Sequence, residues 1–184
     1  QLELKEEFNI SNKTVIGHVG RFHFQKNHMF LLDIFYEASK INDNLVLILC
    51  GKGELKSKIK DKIKNLNLED KVFFLEDRFD MNRIYQLFDL FLFPSLFEGL
   101  PFALIEAQAA GIPCLISDAI SNEVQITSDR IKFMSLESSS QEWAKELLKM
   151  KNIRKRNTYK EIVEHGYDIS VNAKKTLDLI KIEK

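Results

Sequence analysis

The chain has 184 residues, enough for one domain with a sizeable core. It is 45% hydrophobic and 29% charged, and its 27 Lys+Arg balance its 27 Asp+Glu. That zero net charge argues against a general nucleic-acid binder. No run reaches the ~18 apolar residues of a membrane span, and the charged residues 1–12, which lack an apolar core, are not expected to be a signal peptide. Cys50 and Cys114 lie in apolar runs and read as reduced core residues, so a cytoplasmic setting is the expectation.

In chain order, residues 1–13 read as a lead-in or interdomain linker, and 14–184 as one domain. Thr14 to Gly20 reads as a first strand, followed by a loop to His28 and a helix to about Asn42. Leu45 to Cys50 is continuously apolar, as buried parallel strands are. Gly51-Lys52-Gly53 turns into a lysine-rich helix. Lys71–Leu75 reads as a strand, Met81–Phe88 as a short helix and Leu90–Phe93 as a strand. Further strands are expected at Pro113–Ser117 and Ile131–Met134, then helices over roughly 139–149, 151–165 and 168–181. Strands alternating with helices predict an α/β doubly wound, Rossmann-like parallel sheet.

Ligands of such sheets bind outside the carboxyl ends of the strands. Arg21 and Lys26 follow strand one there, Gly51 and Gly53 strand two, Arg78 strand three, and Glu98 and Gly99 strand four. Gly51-Lys52-Gly53 is not a P-loop: no glycine lies five residues before Gly51, and no Ser or Thr follows Lys52. A plain tight turn is the equal alternative to a nucleotide contact. No Gly-x-Gly-x-x-Gly follows strand one, and the four histidines have no metal-ligand spacing.

Pro94 to Pro113 is the most informative stretch. Gly99 is expected at a positive φ or a close approach. Pro101 is expected at the first helical position, and Gly111 as the helix stop. Free N–H groups at such a helix start attract phosphate. Glu106 lies five residues past Pro101, roughly 7–8 Å along the axis. From there its side chain can reach a ribose diol beside a bound diphosphate. Apolar neighbours predict partial burial of Glu106; a solvated carboxylate on a helix face is the alternative.

The stretch Phe93-Pro94-Ser95, Glu98-Gly99-Leu100-Pro101, then Glu106-Ala107-x-Ala109-x-Gly111-x-Pro113 resembles the signature of retaining GT-B glycosyltransferases of family four. Gly20-Arg21-Phe22-x3-Lys26-Asn27 is similar to that family's phosphate loop. The resemblance covers about residues 14–180 and implies the C-terminal, donor-binding half of a GT-B fold, with an acceptor domain preceding it in the whole enzyme.

It further implies that Glu98 lies beside the donor sugar and that Glu106 binds the ribose. Arg21 and Lys26 would lie on the phosphates, and the backbone of Gly99, Leu100 and Pro101 near the diphosphate. Gly20, Gly51, Gly53, Arg78 and Ser95 would complete the nucleotide-sugar site. Glu76 stands where the family usually has Gly, which puts the backbone under the base in question. The implied donor is a UDP-sugar, by family frequency, with GDP as the alternative. No metal or cofactor and no nucleic-acid partner is expected. The implied setting is bacterial O-antigen or capsule assembly, with peripheral membrane association as one reading of the basic residues from Lys151 to Lys175. A sugar-nucleotide 2-epimerase of the same fold, a non-catalytic nucleotide-sugar module and a structural partner domain are the competing readings.

Overall fold

The structure, a computed structural model, describes residues 2–173. Six strands form one parallel sheet: β1 (Thr14–Val19), β2 (Leu45–Cys50), β3 (Val72–Leu75), β4 (Leu90–Phe93), β5 (Cys114–Ser117) and β6 (Ile131–Met134). Their order is β3-β2-β1-β4-β5-β6, all neighbours parallel. This is the doubly wound arrangement, and the direction of winding reverses between β1 and β4. Strands β1, β2, β4 and β5 are buried almost throughout, which is why they read as unbroken apolar runs.

Two apolar layers cover the sheet. One face carries α2 (His28–Ile41), α3 (Lys56–Asn65) and α6 (Ser140–Met150), packed through Leu31, Phe35, Ile59 and Trp143. The other carries α4 (Met81–Leu87) and α5 (Phe102–Ala109), packed through Ile84, Phe88, Leu104 and Ala107. Trp143 is fully buried, and its indole N–H donates to the Ser135 carbonyl at 2.9 Å.

Two stretches differ from the sequence reading. Within the expected lead-in, Leu2–Glu7 forms helix α1, and the segment is docked on the domain. Lys5 pairs with Asp89 at 3.0 Å, and Ile10 is buried in the core. The helix expected over 151–165 is confined to α7 (Tyr159–Glu164). Residues 151–158 instead make tertiary contacts that a continuous helix would forgo. Lys155 donates to the Gln86 carbonyl at 2.8 Å, the Arg154 carbonyl accepts from Arg130 at 2.6 Å, and Thr158 caps α5 by donating to the Gln108 carbonyl at 2.7 Å. The helix expected over 168–181 begins at residue 169 and otherwise lies outside the described residues.

Gly17 sits in β1 because Phe88 lies directly over it; a Cβ there would fall 2.2 Å from the ring. Phe88 is fully buried and stacked on Phe91, so it has no room to give. Gly17→Ala is expected to destabilise the fold by about 1–3 kcal/mol, the usual cost of overpacking a core. A lowered urea midpoint at unchanged m-value checks this.

Candidate functional site

The loops after β1 and β4 meet at the switch point. After β1, a short 3-10 turn at Phe24–Lys26 ends on Asn27 at φ 54°, and α2 starts next. After β4, residues 94–101 lead to α5. The Leu96 N–H donates to the Gln25 carbonyl at 2.8 Å. The Gln25 amide donates to the Phe97 carbonyl at 2.9 Å and to Glu98 Oε2 at 3.2 Å. Lys26 Nζ donates to Glu98 Oε1 at 2.6 Å and lies 4.7 Å from the Phe93 ring centre. The Glu98 side chain is only 6% exposed and that of Lys26 14%, so this is a nearly buried pair.

Two imidazoles lie beneath it. His18 Nδ1 is 2.9 Å from the Leu92 carbonyl, and the rings of His18 and His28 meet edge to face with centres 4.8 Å apart. Burial pushes His28 down to about 4, helped by the charge of Lys26. Burial, then His28 and Lys26, hold His18 well below the usual imidazole range against the pull of its backbone bond. Both rings are therefore neutral at neutral pH and leave Glu98 to Lys26. Ser95 is buried alongside: its carbonyl accepts from the Ser117 hydroxyl at 2.6 Å, and its own hydroxyl has no partner among the described residues.

Arg21 is placed differently from Lys26. Its side chain is 75% exposed, and its nearest acid is Glu54 at 3.7 Å, so its donors are nearly all free. The turn at Gly51–Gly53 packs against the same loop. The Gly20 N–H donates to the Cys50 carbonyl and the Phe22 N–H to the Lys52 carbonyl. Gly51 has φ +142°, and a Cβ on it would fall 2.1 Å from the Gly20 carbonyl oxygen. A Cβ on Gly53 would fall 2.5 Å from the Phe22 oxygen. Both glycines are thus demanded by backbone contact between the two loops. At Gly20 a Cβ would crowd the Lys26 stem at 3.0 Å.

The start of α5 corrects one expectation. Gly99 has neither a positive φ nor a close neighbour: a Cβ there meets nothing within 4 Å. Pro101 is the residue flanking the helix rather than its first member, a shift of one position. Gly111 does stop the helix, at φ +69°. The N–H groups of Gly99 and Leu100 make no hydrogen bond to any described residue, and both residues are exposed.

Glu106 is exposed rather than partly buried. Its Oε2 accepts from the Tyr85 hydroxyl at 2.8 Å. Tyr85 is 3% exposed, and burial followed by the Glu106 charge raises its pKa, so the phenol keeps the proton it donates. Glu106 forms a wall of two cavities. One, about 220 Å³, is lined by Val19, Cys50, Gly51, Leu75, Arg78 and Met81 among others. The other, about 320 Å³, lies between α4 and α5 and includes Asn82, Tyr85 and Gln86. Arg78 lines the first, but its guanidinium grips Asp80 through two bonds of 2.7 and 2.6 Å. Glu76 turns aside to pair with Lys56, and the left-handed position falls on Asp77, at φ 52°.

Two loops from either side of a switch point thus bring together an exposed cation, free N–H groups ahead of α5 and an oriented carboxylate between two cavities. The sequence matches the family "Glycosyl transferases group 1" over residues 1–168. The chain belongs to the group 1 glycosyltransferases. It is 35% identical to the putative glycosyltransferase EpsF of Bacillus subtilis, over 94% of the chain and 46% of that protein. It is 32% identical to the UDP-Gal:alpha-D-GlcNAc-diphosphoundecaprenol alpha-1,3-galactosyltransferase of Escherichia coli, over 91% of the chain and 45% of that protein. The chain thus spans about half the length of these relatives. Its fold matches the C-terminal domain of the group 1 protein LpcC from Francisella tularensis with a TM-score of 0.74, at 20% identity, covering 91% of this chain and 93% of that domain. The fold is that of the C-terminal half of a GT-B glycosyltransferase.

Within this group 1 domain, Gln25 and Tyr85 were not legible as site residues. Gln25 sits beside Lys26 and carries no pattern of its own, and Tyr85 reaches Glu106 from another helix, 21 residues upstream. The Lys26–Glu98 contact makes its own prediction. Lys26→Met leaves a buried carboxylate without its cation, which typically costs about 3–5 kcal/mol. Thermal unfolding should show a large loss for Lys26→Met, and partial recovery in the double variant Lys26→Met/Glu98→Met.

Proposed function

We propose that this chain is the donor-binding half of a retaining glycosyltransferase. The whole enzyme moves a hexose or N-acetylhexosamine from a UDP-sugar to a lipid-linked or polysaccharide acceptor in bacterial surface polysaccharide assembly. The observation that carries the reading is Glu106: a carboxylate aimed by a buried tyrosine, shared between two cavities, on the helix whose start offers free N–H groups. In this assignment the base occupies the cavity beside Gly51 and Arg78, and the ribose hydroxyls donate to Glu106. The diphosphate lies against Gly99, Leu100, Arg21 and Lys26. The UDP assignment is supported by the donor in the E. coli relative's name.

Transfer follows from where charge grows. As the bond from the anomeric carbon to the β-phosphate oxygen breaks, negative charge collects on the diphosphate, where Arg21, Lys26 and the α5-start amides stabilise it. The acceptor hydroxyl attacks from the face the diphosphate leaves, and its proton passes to the departing phosphate oxygen. Anomeric configuration is retained. Glu98, held by Lys26, fixes the sugar hydroxyls. The acceptor is supplied by an additional domain, so this half binds donor without transferring sugar. The setting is cytoplasmic, with the whole enzyme peripheral to the membrane.

The diphosphate is neutralised without a divalent metal. Mg²⁺ sites use one or two carboxylates beside the phosphates, and in this assignment Glu98, paired with Lys26, serves the sugar and Glu106, aimed by Tyr85, serves the ribose. No Asp-x-Asp occurs in the chain.

Titration calorimetry with UDP in EDTA tests the assignment. The wild type should bind saturably. A hydrogen bond to a charged group is worth about 1.5–3 kcal/mol, so Glu106→Gln should weaken UDP roughly ten- to hundredfold, and Tyr85→Phe by a smaller factor. Equal affinity in Glu106→Gln rejects the ribose contact, and binding only after Mg²⁺ is added rejects the metal-free phosphate site. Arg21→Ala should weaken UDP while leaving uridine, which has no phosphates, unchanged.

A further inference from the structure

A third cavity, of about 390 Å³, opens at the opposite end of the sheet, where β1 begins and β4 is entered. That volume is in the ~300–1,000 Å³ range of small-molecule sites. It is lined by Thr14, Asp89, Lys151, Ile153, Arg154 and Lys155. Asp89 is its one lining carboxylate, and it is already engaged: Oδ2 accepts from Lys5 Nζ at 3.0 Å and from the Val15 N–H at 2.8 Å. Against it stand three cations in the lining and two behind it. Lys151 and Arg154 are exposed, and their side chains have no partner among the described residues. Lys155 is half-buried, and its Nζ meets only a neutral acceptor, the Gln86 carbonyl at 2.8 Å. Lys5 is buried beside Asp89. Arg130 is 5% exposed; it donates to the Arg154 carbonyl at 2.6 Å and lies 3.7 Å from the Asp129 carboxylate, and its Nε has no partner among the described residues.

A cluster of cations is normally a solvated face, and its members repel one another. Here Lys155 is held through its own ammonium on the Gln86 carbonyl, and residue 154 through its backbone carbonyl, which accepts from Arg130. Burial holds the Lys155 ammonium down to about 8, while Asp89 pulls it up and Lys5 pushes it down. An anion in the cavity could take charge-assisted bonds from the cations that line it, Lys151, Arg154 and Lys155.

We propose that this cavity binds a phosphate or diphosphate group, at a site separate from the donor site at the other end of the strands. Three cationic side chains lining one cavity, with its one carboxylate occupied, suit a dianionic, multi-oxygen group better than a single carboxylate. The phosphate belongs either to a soluble phosphorylated metabolite or to an anionic lipid headgroup, and both sources present the same chemistry to Lys151 and Arg154.

The test reads residues 151–155 directly, so it does not depend on what the donor site binds. Backbone amide resonances of the 184-residue chain are followed as inorganic pyrophosphate is added. In parallel the chain is sedimented with phosphatidylglycerol vesicles and with phosphatidylcholine vesicles. Lys151→Ala/Arg154→Ala changes only exposed side chains and is expected to fold normally. Saturable shifts at 151–155, weakened at least tenfold in the double variant, support the proposal with a soluble phosphate as the source. Sedimentation with phosphatidylglycerol but not phosphatidylcholine, lost in the double variant, supports it with a lipid headgroup as the source. If residues 151–155 neither shift nor mediate vesicle binding, or if the double variant behaves as wild type in both arms, the proposal is overturned.

Discussion

Lys26 and Glu98 lie 72 residues apart, on loops that leave different strands, and their ion pair closes the switch point of the sheet. The parallel architecture makes that closure necessary. Neighbouring parallel strands are joined by crossovers, not by hairpins, so nothing in the chain's connectivity holds the loop after β1 against the loop after β4. The pair does so with help from Gln25, which bonds both the Glu98 carboxylate and the Phe97 carbonyl. Desolvating two charges is costly, and apolar residues of similar volume often hold a fold as well or better. Stability alone therefore does not account for the choice of charge at this point. A cation and a carboxylate kept dry and ordered can exchange partners with an incoming phosphate and hydroxyl at little reorganisation cost.

The frame was largely legible in the sequence, because its signals are local. Buried parallel strands are unbroken apolar runs, and β2, β4 and β6 have the expected limits. Gly111 announces the end of α5 through a backbone angle that only glycine adopts freely. What escaped depends on groups distant in sequence. Residues 151–158 have helical composition, yet Gln86, Gln108 and Arg130 offer them tertiary bonds that override it. Gly99 looked like a backbone requirement, but its Cβ position meets no protein atom. The apolar neighbours of Glu106 pointed to partial burial, whereas the carboxylate is exposed and forms a wall of two cavities.

The candidate site residues were named one by one, and the structure sorts them by task. Gly51 and Gly53 serve the turn itself, since Gly20 and Phe22 press on them. Ser95 lies beneath the loop and lends its carbonyl to Ser117. Arg21, with most of its side chain in solvent, is free to meet a ligand. Arg78 is largely committed to Asp80 and shapes a wall of its cavity. A motif assigns all of these to one site, but only geometry separates the residues that support the loops from those that face the opening.

The two glutamates of the motif make the same distinction most sharply. They are the same residue type, eight positions apart on one strand-loop-helix unit, yet their surroundings differ in kind. Glu98 is nearly buried and answers a full cation at 2.6 Å; neutral imidazoles beneath leave that pairing uncontested. Glu106 is exposed and answers a neutral phenol at 2.8 Å. A carboxylate has room for about four hydrogen bonds. Glu106 has one position fixed by Tyr85, so its orientation is set while its remaining lone pairs face the cavities. That suits a static contact with a diol. In the proposed assignment Glu98 shares its charge with a residue that the departing diphosphate would also attract, so its field at the sugar would rise or fall with the position of Lys26. On that assignment Glu98 is the carboxylate whose environment would change during transfer, and Glu106 the one that would hold still.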